Sequence, residues 1–305
     1  MTQSIYTAYL APKGREDDLT RELGDTLTER HGQLFLCESP PKTPVYFAQN
    51  IWYNAQKFNI ASIKDASKQL RAIQRNWVLY HHDYHRRAKL IAENLPHVSA
   101  KRIEFGAPLP DAPLGSWCLL EKDTMLAASH CEAAVPHGAY EFVEDKDTPP
   151  NRAYLKLWEV FAKLGVYPKA GERAIDVGSS PGGWTWVLQQ CGAHVISVDK
   201  AELDPKIAKL PNIEFLQESA FGLDPLDYAP MDWLCSDIIC YPMKLFELVM
   251  RWIDSGTVKN MVCTIKLQGE TDFDAISQFA SIPNSRIMHL YNNKHELTWI
   301  WRTPT

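Results

Sequence analysis

From residue 149 onward, short runs of β-branched and apolar residues alternate with stretches in which apolar positions recur every three or four residues. Arg173–Val177, His194–Val198, Ile213–Leu216, Trp233–Ser236 and Asn260–Ile265 read as strands. Leu155, Trp158, Val160, Phe161 and Leu164 share one face of a helix, and Gly183–Gln190, Met243–Ile253 and Asp272–Ala280 read as further helices. Arg286–Tyr291 and Glu296–Arg302 close the pattern as late strands. Strand–helix alternation of this kind predicts an α/β domain around a mostly parallel, doubly wound sheet.

The first half is patterned differently. Ile5–Leu10 and Gln33–Cys37 read as strands, Arg15–Arg30 as a helix, and Trp117–Leu120 and Met125–Ala128 as further strands. Pro40-Pro41 and Pro108–Pro113 read as loops, which makes this half α+β. The boundary falls at Glu144-Asp-Lys-Asp-Thr-Pro-Pro-Asn-Arg152, which is charged, poor in apolar residues and carries two prolines just before a helical pattern. Two domains, 1–148 and 149–305, fit the 305-residue length. No apolar run is long enough to span a bilayer, and no basic start with a long apolar core opens the chain, so neither membrane nor leader is expected. Seven scattered cysteines without a Cys-x-x-Cys pair read as reduced thiols of a cytoplasmic protein, not a zinc site or a disulfide framework.

The chemistry gathers around Asp176-Val-Gly-Ser-Ser-Pro-Gly-Gly-Trp184, which follows a strand and opens a helix. Such a turn aims backbone N–H groups and a positive helix end at the crevice beyond the strand ends. No Lys-Ser/Thr follows the glycines, so this is not a phosphate loop, and the dinucleotide Gly-x-Gly-x-x-Gly spacing is absent. Gly178-Ser-Ser-Pro-Gly182 matches the Gly-x-Ser-x-Gly elbow of hydrolases in form. That elbow needs a backbone N–H from the residue after the serine, and Pro181 has none. A nucleoside-type cofactor site remains. Asp199 ends the next strand, 21 residues after Gly178, where a carboxylate accepts hydrogen bonds from ribose hydroxyls or else caps the following turn.

With the glycine turn in place, three more segments complete a resemblance: Asn151-Arg-Ala-Tyr-Leu-Lys156-Leu, Asp232-Trp-Leu-Cys-Ser-Asp237 and Ile265-Lys266-Leu-Gln-Gly-Glu270. Together they resemble the FtsJ-type ribose 2′-O-methyltransferases, and within them the RlmM-like group acting on ribosomal RNA. The resemblance covers about residues 149–302. It implies a Rossmann-like methyltransferase domain, S-adenosylmethionine as cofactor, an RNA substrate, no metal, and a Lys-Asp-Lys-Glu tetrad on Lys156, Asp237, Lys266 and Glu296. It places the cofactor on Gly178, Ser180, Pro181, Gly182, Gly183, Trp184, Asp199, Ser219 and Asp237. The first half is more compact than the group's THUMP-containing region and resembles it loosely. The residue types suit the reaction. A ribose hydroxyl is a poor nucleophile until deprotonated, and a lysine serves as the base only when neutral, which burial and a second nearby ammonium favour. Lys266 is assigned the base. Lys156 supplies the second charge and steadies the developing alkoxide, Asp237 orients the base, and Glu296 holds Lys156 or the ribose. Taken alone, Lys156, Asp237 and Glu296 have ordinary readings as a solvated helix lysine, a helix N-cap and an exposed strand position, whereas Lys266 ends the apolar run Met261–Ile265 and so sits at the active-site edge of a buried parallel strand.

Charge is uneven along the chain. Residues 64–102 hold nine basic against three acidic residues, a local net of +6 in a chain of net −5, with Trp77, Tyr80 and Tyr84 interspersed. A solvated helix face and an RNA footprint both fit this composition. Residues 151–305 carry 15 basic and 18 acidic residues, so RNA contact is expected elsewhere, on Arg71, Arg75, Arg86 and Arg87. His81 and His85 are four apart, but His82 stands where a zincin has Glu, and no third ligand is evident. The expected function is methylation of an RNA ribose. A non-catalytic RNA-binding protein and a methyltransferase on another target are the alternatives.

Overall fold

The computed structural model describes residues 4–303. The chain forms two compact units that divide between Glu141 and Phe142. The division precedes the charged segment because Phe142 is buried, with its ring edge-on to Trp158 at 5.6 Å, and so packs as part of the second unit.

The first unit contains β1 (Ile5–Leu10), α1 (Glu16–Leu23), β2 (Leu27–His31), β3 (Leu34–Cys37), β4 (Asn50–Asn59), α2 (Ile63–Ile73), β5 (Trp77–Leu79), α3 (His85–Ala92), β6 (Gly115–Leu119), β7 (Thr124–Ala128) and β8 (His130–Cys131). The sheet runs β2-β3-β1-β4-β7-β6-β5, with β8 on β4. Among the described pairs only β5 with β6 is parallel. The helix expected over Arg15–Arg30 stops at Leu23, because Gly24 turns to a positive φ of 50° and Leu27–His31 pairs with β3. The β-branched Thr26 and Thr28 favour that change. Ser62 caps α2 by accepting the Asp65 N–H at 3.1 Å.

The basic stretch is therefore not one helix. Ala66 and Leu70 of α2 and Ala88 and Ile91 of α3 share a core with Trp77, Trp117 and Met125. Trp77 is buried and its indole N–H donates to the Leu70 carbonyl at 2.9 Å, so it is not free to stack on a base. Tyr80 packs edge-on to Trp52. Of the three aromatic residues, Tyr84 is the exposed one.

The second unit contains α4 (Tyr154–Leu164), β9 (Arg173–Val177), α5 (Gly183–Gln190), β10 (His194–Val198), α6 (Pro205–Ala208), β11 (Ile213–Leu216), β12 (Met231–Ser236), α7 (Pro242–Ser255), β13 (Val258–Lys266), α8 (Phe273–Ser281), β14 (Ser285–Met288) and β15 (Glu296–Arg302). Its sheet runs β11-β10-β9-β12-β13-β15-β14. The first five strands are parallel, and β15 is antiparallel to both β13 and β14. Met261–Ile265 is fully buried, as a central strand covered on both faces requires. The strand expected to reach Tyr291 ends at Met288. Beyond it the Tyr291 and Asn292 N–H groups leave the ladder and donate to the buried Glu159 carboxylate at 2.8 and 3.1 Å. Strand order reverses between β9 and β12, and the crevice beyond the carboxyl ends at such a reversal is where doubly wound sheets bind ligands.

Candidate active site

Four charged side chains meet at the carboxyl ends of β12 and β13. Asp237 is the residue just past β12, and Lys266 is the last of β13. Glu296 opens β15 directly opposite Lys266 in the antiparallel register, so this pair is fixed by the ladder itself. Lys156 reaches in from the first turn of α4, where it is buried among Leu155, Leu157 and Trp158. The Lys156 ammonium donates to both Asp237 oxygens at 2.6 Å and to Glu296 Oε1 at 3.1 Å. The Lys266 ammonium donates to Asp237 Oδ1 at 2.6 Å and to Glu296 Oε2 at 2.7 Å. Each lysine touches both acids and each acid touches both lysines, giving a closed ring of two formal positive and two formal negative charges.

The ring sets the protonation of Asp237 and Lys266. Burial pushes the Asp237 carboxyl up, but Lys156 and Lys266 more than reverse this and hold it below its ordinary 3.8. Burial alone would lower Lys266, but Asp237 and Glu296 outweigh it and hold the lysine above its ordinary 10.5. The sequence reading has the Lys266 amine lowered by burial and a neighbouring ammonium. In the ring the two carboxylates dominate, and Lys266 rests as an ammonium.

Beside the ring lies an open cleft of about 430 Å³, lined by Gly178, Asp199, Ser219, Phe221, Ile238 and Tyr241 among others. Its size is that of a small-molecule site. Asp199 accepts the Ser180 N–H on one oxygen at 3.0 Å and the Ala201 N–H on the other at 2.9 Å, which leaves a free lone pair on each. A carboxylate and the apolar Phe221 and Ile238 in one lining suit a nucleoside with ribose hydroxyls and a flat base. The lining therefore fits a nucleoside cofactor such as S-adenosylmethionine.

Gly178, Asp199 and Ser219 line the cleft, whereas Ser180, Pro181, Gly182, Gly183 and Trp184 are not among its lining residues. The Ser180 hydroxyl donates to the Glu202 carbonyl at 2.8 Å. A Cβ on Gly182, at φ +112°, would meet Ile207 Cγ2 at 2.9 Å, and one on Gly183 would meet Asn151 Oδ1 at 2.5 Å. Trp184 is buried and its indole N–H donates to the Ala153 carbonyl at 2.9 Å. A Cβ on Gly178 would lie 2.5 Å from Ile238 Cβ, so this glycine lets the first turn close against the loop after Asp237. In this structure, then, the glycines at 178, 182 and 183 admit neighbouring protein groups.

Asp176 escaped the sequence reading. It is fully buried in β9, accepts the Thr185 hydroxyl at 2.7 Å on one oxygen, and has no protein partner on the other. Burial raises its carboxyl to about 7, Thr185 pulls it back in part, and Asp237 adds to the rise. Its signal in the sequence was a lone acid within the apolar run Ala174–Val177.

In the first unit Arg71, Arg75 and Arg86 are exposed and Arg87 half-buried. The His81 and His85 rings lie 5.9 Å apart, and among the described residues no group of three or more His, Cys, Asp or Glu could hold a metal. No described helix is long and apolar enough to cross a membrane.

The family model for FtsJ-like methyltransferases matches residues 149–294. The second unit thus resembles the FtsJ-like methyltransferases over those residues. Among curated relatives, a ribosomal RNA large subunit methyltransferase M from Thauera aminoaromatica is 30% identical over 165 residues, covering 49% of this chain and 45% of the relative. One of the same name from Xanthomonas axonopodis pv. citri is 29% identical over 207 residues, covering 63% and 59%. The chain thus spans about half the length of the curated relatives it matches. Among solved structures, TrmN from Thermus thermophilus aligns over 98% of this chain and 100% of that one, at 12% identity and a TM-score of 0.37, too low a likeness to argue from.

Proposed function

We propose that this FtsJ-like protein transfers a methyl group from S-adenosylmethionine to the 2′-hydroxyl of an RNA ribose, and that the RNA is ribosomal. The observation that carries the reading is the closed ring of Lys156, Asp237, Lys266 and Glu296 beside a nucleoside-sized cleft. The names of the relatives support ribosomal RNA.

When bound, S-adenosylmethionine supplies an electrophilic methyl group on a sulfonium that departs as a neutral thioether. The chain's part is to position a hydroxyl and take its proton. Lys266 rests protonated because two carboxylates face it. A further positive charge in the cleft, or a hydroxyl that draws Glu296 away, weakens that hold and favours release of the ammonium proton to solvent. The neutral amine then accepts the 2′-hydroxyl proton, breaking O–H and forming N–H at Nζ. Lys156, still bonded to Asp237 and Glu296, offers its charge to the developing alkoxide. The ring thus fixes the donors and acceptors before reaction, and much of the acceleration is positioning.

Ribose-methylation mapping of total RNA from a deletion strain tests the reading. One ribosomal 2′-O-methyl mark should vanish and return with the wild-type gene. An unchanged ribose map, with loss of a base or protein methyl group, would transfer the activity to another target.

A further inference from the structure

We propose that Tyr241 is a positioning residue for the substrate nucleotide: its ring is the stacking platform for a base turned out of a single RNA strand, with Ile239 extending the apolar surface beside it. This rests on the ribose-methylation reading of the site.

Ile239 and Tyr241 are 82% and 71% exposed, the two most exposed large apolar side chains of the described residues. Both lie in the four residues that directly follow Asp237, and both line the cleft. Trp233, Trp252 and Trp299 of the second unit are buried, and its other exposed tyrosines, Tyr167 and Tyr291, do not line the cleft. The loop that displays the pair is held at both ends. Ile238 is packed against Gly178, and its N–H points to Ser236 Oγ at 3.4 Å. At the other end the Tyr241 carbonyl accepts the N–H groups of Lys244 and Leu245 at 3.0 and 3.3 Å, and Pro242 begins α7. Two apolar side chains are therefore presented to solvent by a fixed segment, one step from a carboxylate of the ring.

The chemistry of the substrate says what such a surface is for. A 2′-hydroxyl reaches a recessed ring of charges only if its nucleotide leaves the neighbouring stack, which bares both faces of the base. Unstacked bases are recognised by stacking on aromatic side chains. Tyr241 lies close enough along the chain to Asp237 for the base and ribose of one nucleotide to reach both. Gln268, exposed on the cleft rim two residues past Lys266, offers an amide to a base edge.

The test compares Tyr241→Ala and Tyr241→Phe in methyl transfer to RNA, with cofactor affinity measured separately by calorimetry. Tyr241→Ala should raise KM for RNA roughly 5- to 100-fold, the scale of one lost base stack. Tyr241 lines the cleft but is 71% exposed, so Tyr241→Ala should weaken cofactor binding far less than RNA binding; melting temperature should stay at the wild-type value, and Tyr241→Phe should stay within about threefold of wild type. An unchanged KM for RNA would overturn the proposal. So would a matching loss of cofactor affinity, which would give the ring to the cofactor, or a Phe variant as poor as Ala, which would mean the hydroxyl matters. The wild-type product separates this from the reading beneath it. Failure of the stacking proposal leaves a wild type that forms 2′-O-methyl nucleosides, whereas a wild type that methylates no ribose overturns both.

Discussion

Lys266 concentrates the electrostatics of the site in one titrating group. Lys266→Met keeps the apolar stem and removes the amine, so turnover should fall by about 10²–10⁴ while cofactor affinity changes little. Lys266→Arg should fail as well, because a guanidinium does not release its proton at working pH. Substantial turnover in the Arg variant would make the residue a fixed charge and pass the base role to Lys156. Stability follows from the same groups. The raised Lys266 contributes stability that is complete below 10.5 and lost as pH rises through its higher folded value. The depressed Asp237 contributes stability that is complete above 3.8 and lost as pH falls through its lower folded value. The stability cost of Lys266→Met, about 3–5 kcal/mol for a broken buried pair, should therefore be flat across neutral pH. A cost that varied between about pH 5 and 9 would show that the ring is not charged as described. Asp176 has the sign opposite to that of Asp237. Its folded value of about 7 against an ordinary 3.8 means that wild-type stability falls as pH rises through that interval and is level above it. Asp176→Asn should flatten the curve and be more stable at pH ~8 by up to about 4 kcal/mol, less the cost of the unpartnered amide N–H₂. Urea titrations at both ends of the interval measure this, and parallel curves for the two proteins would show that Asp176 ionises freely.

Among the elements, the glycine turn shows how far the sequence could be read. Strand β9, the turn and helix α5 follow from hydrophobic period and glycine content, and Asp199 at the end of β10 follows from spacing. What each glycine admits does not, because Ile207 and Ile238 are brought to Gly182 and Gly178 by the fold. Gly182→Ala tests the difference. At φ +112° and 2.9 Å from Ile207, the added methyl should cost about 1–3 kcal/mol, while the folded fraction keeps its cofactor affinity within a few-fold. Weakened cofactor binding in a protein of undiminished stability would put the cofactor against this glycine instead. The pairing of Lys266 with Glu296 was beyond periodicity for the same reason. It depends on β15 inserting antiparallel between β13 and β14, and only the family resemblance singled out residue 296. In the first half, the helix expected through Arg30 ended early because local charge periodicity says nothing about the edge of β3 that drew Leu27–His31 into a sheet. Trp77 likewise looked like a stacking residue among basic neighbours, while its burial depends on Trp117 and Met125, far along the chain.

At the level of the whole molecule, the ring proposed to act on a ribose belongs to a unit with more acidic than basic residues, so the phosphates of such a substrate would need another partner. The exposed Arg71, Arg75 and Arg86, with Arg87, are proposed for that role. Neutralising all four should weaken RNA binding and reduce the slope of log K against log salt by up to about 3–4, leaving cofactor affinity untouched. An unaltered slope would make these helices solvated faces and nothing more. The central claim is narrower and can be tested without knowing where the RNA lies: the ring of Lys156, Asp237, Lys266 and Glu296 activates a ribose hydroxyl. Purified protein, S-adenosylmethionine with a labelled methyl group and unmodified ribosomal RNA, followed by digestion to nucleosides, address it directly. Label should appear in a single 2′-O-methyl nucleoside with wild-type protein and disappear with Lys266→Met. Label on a base, or a wild-type yield matched by Lys266→Met, would contradict it.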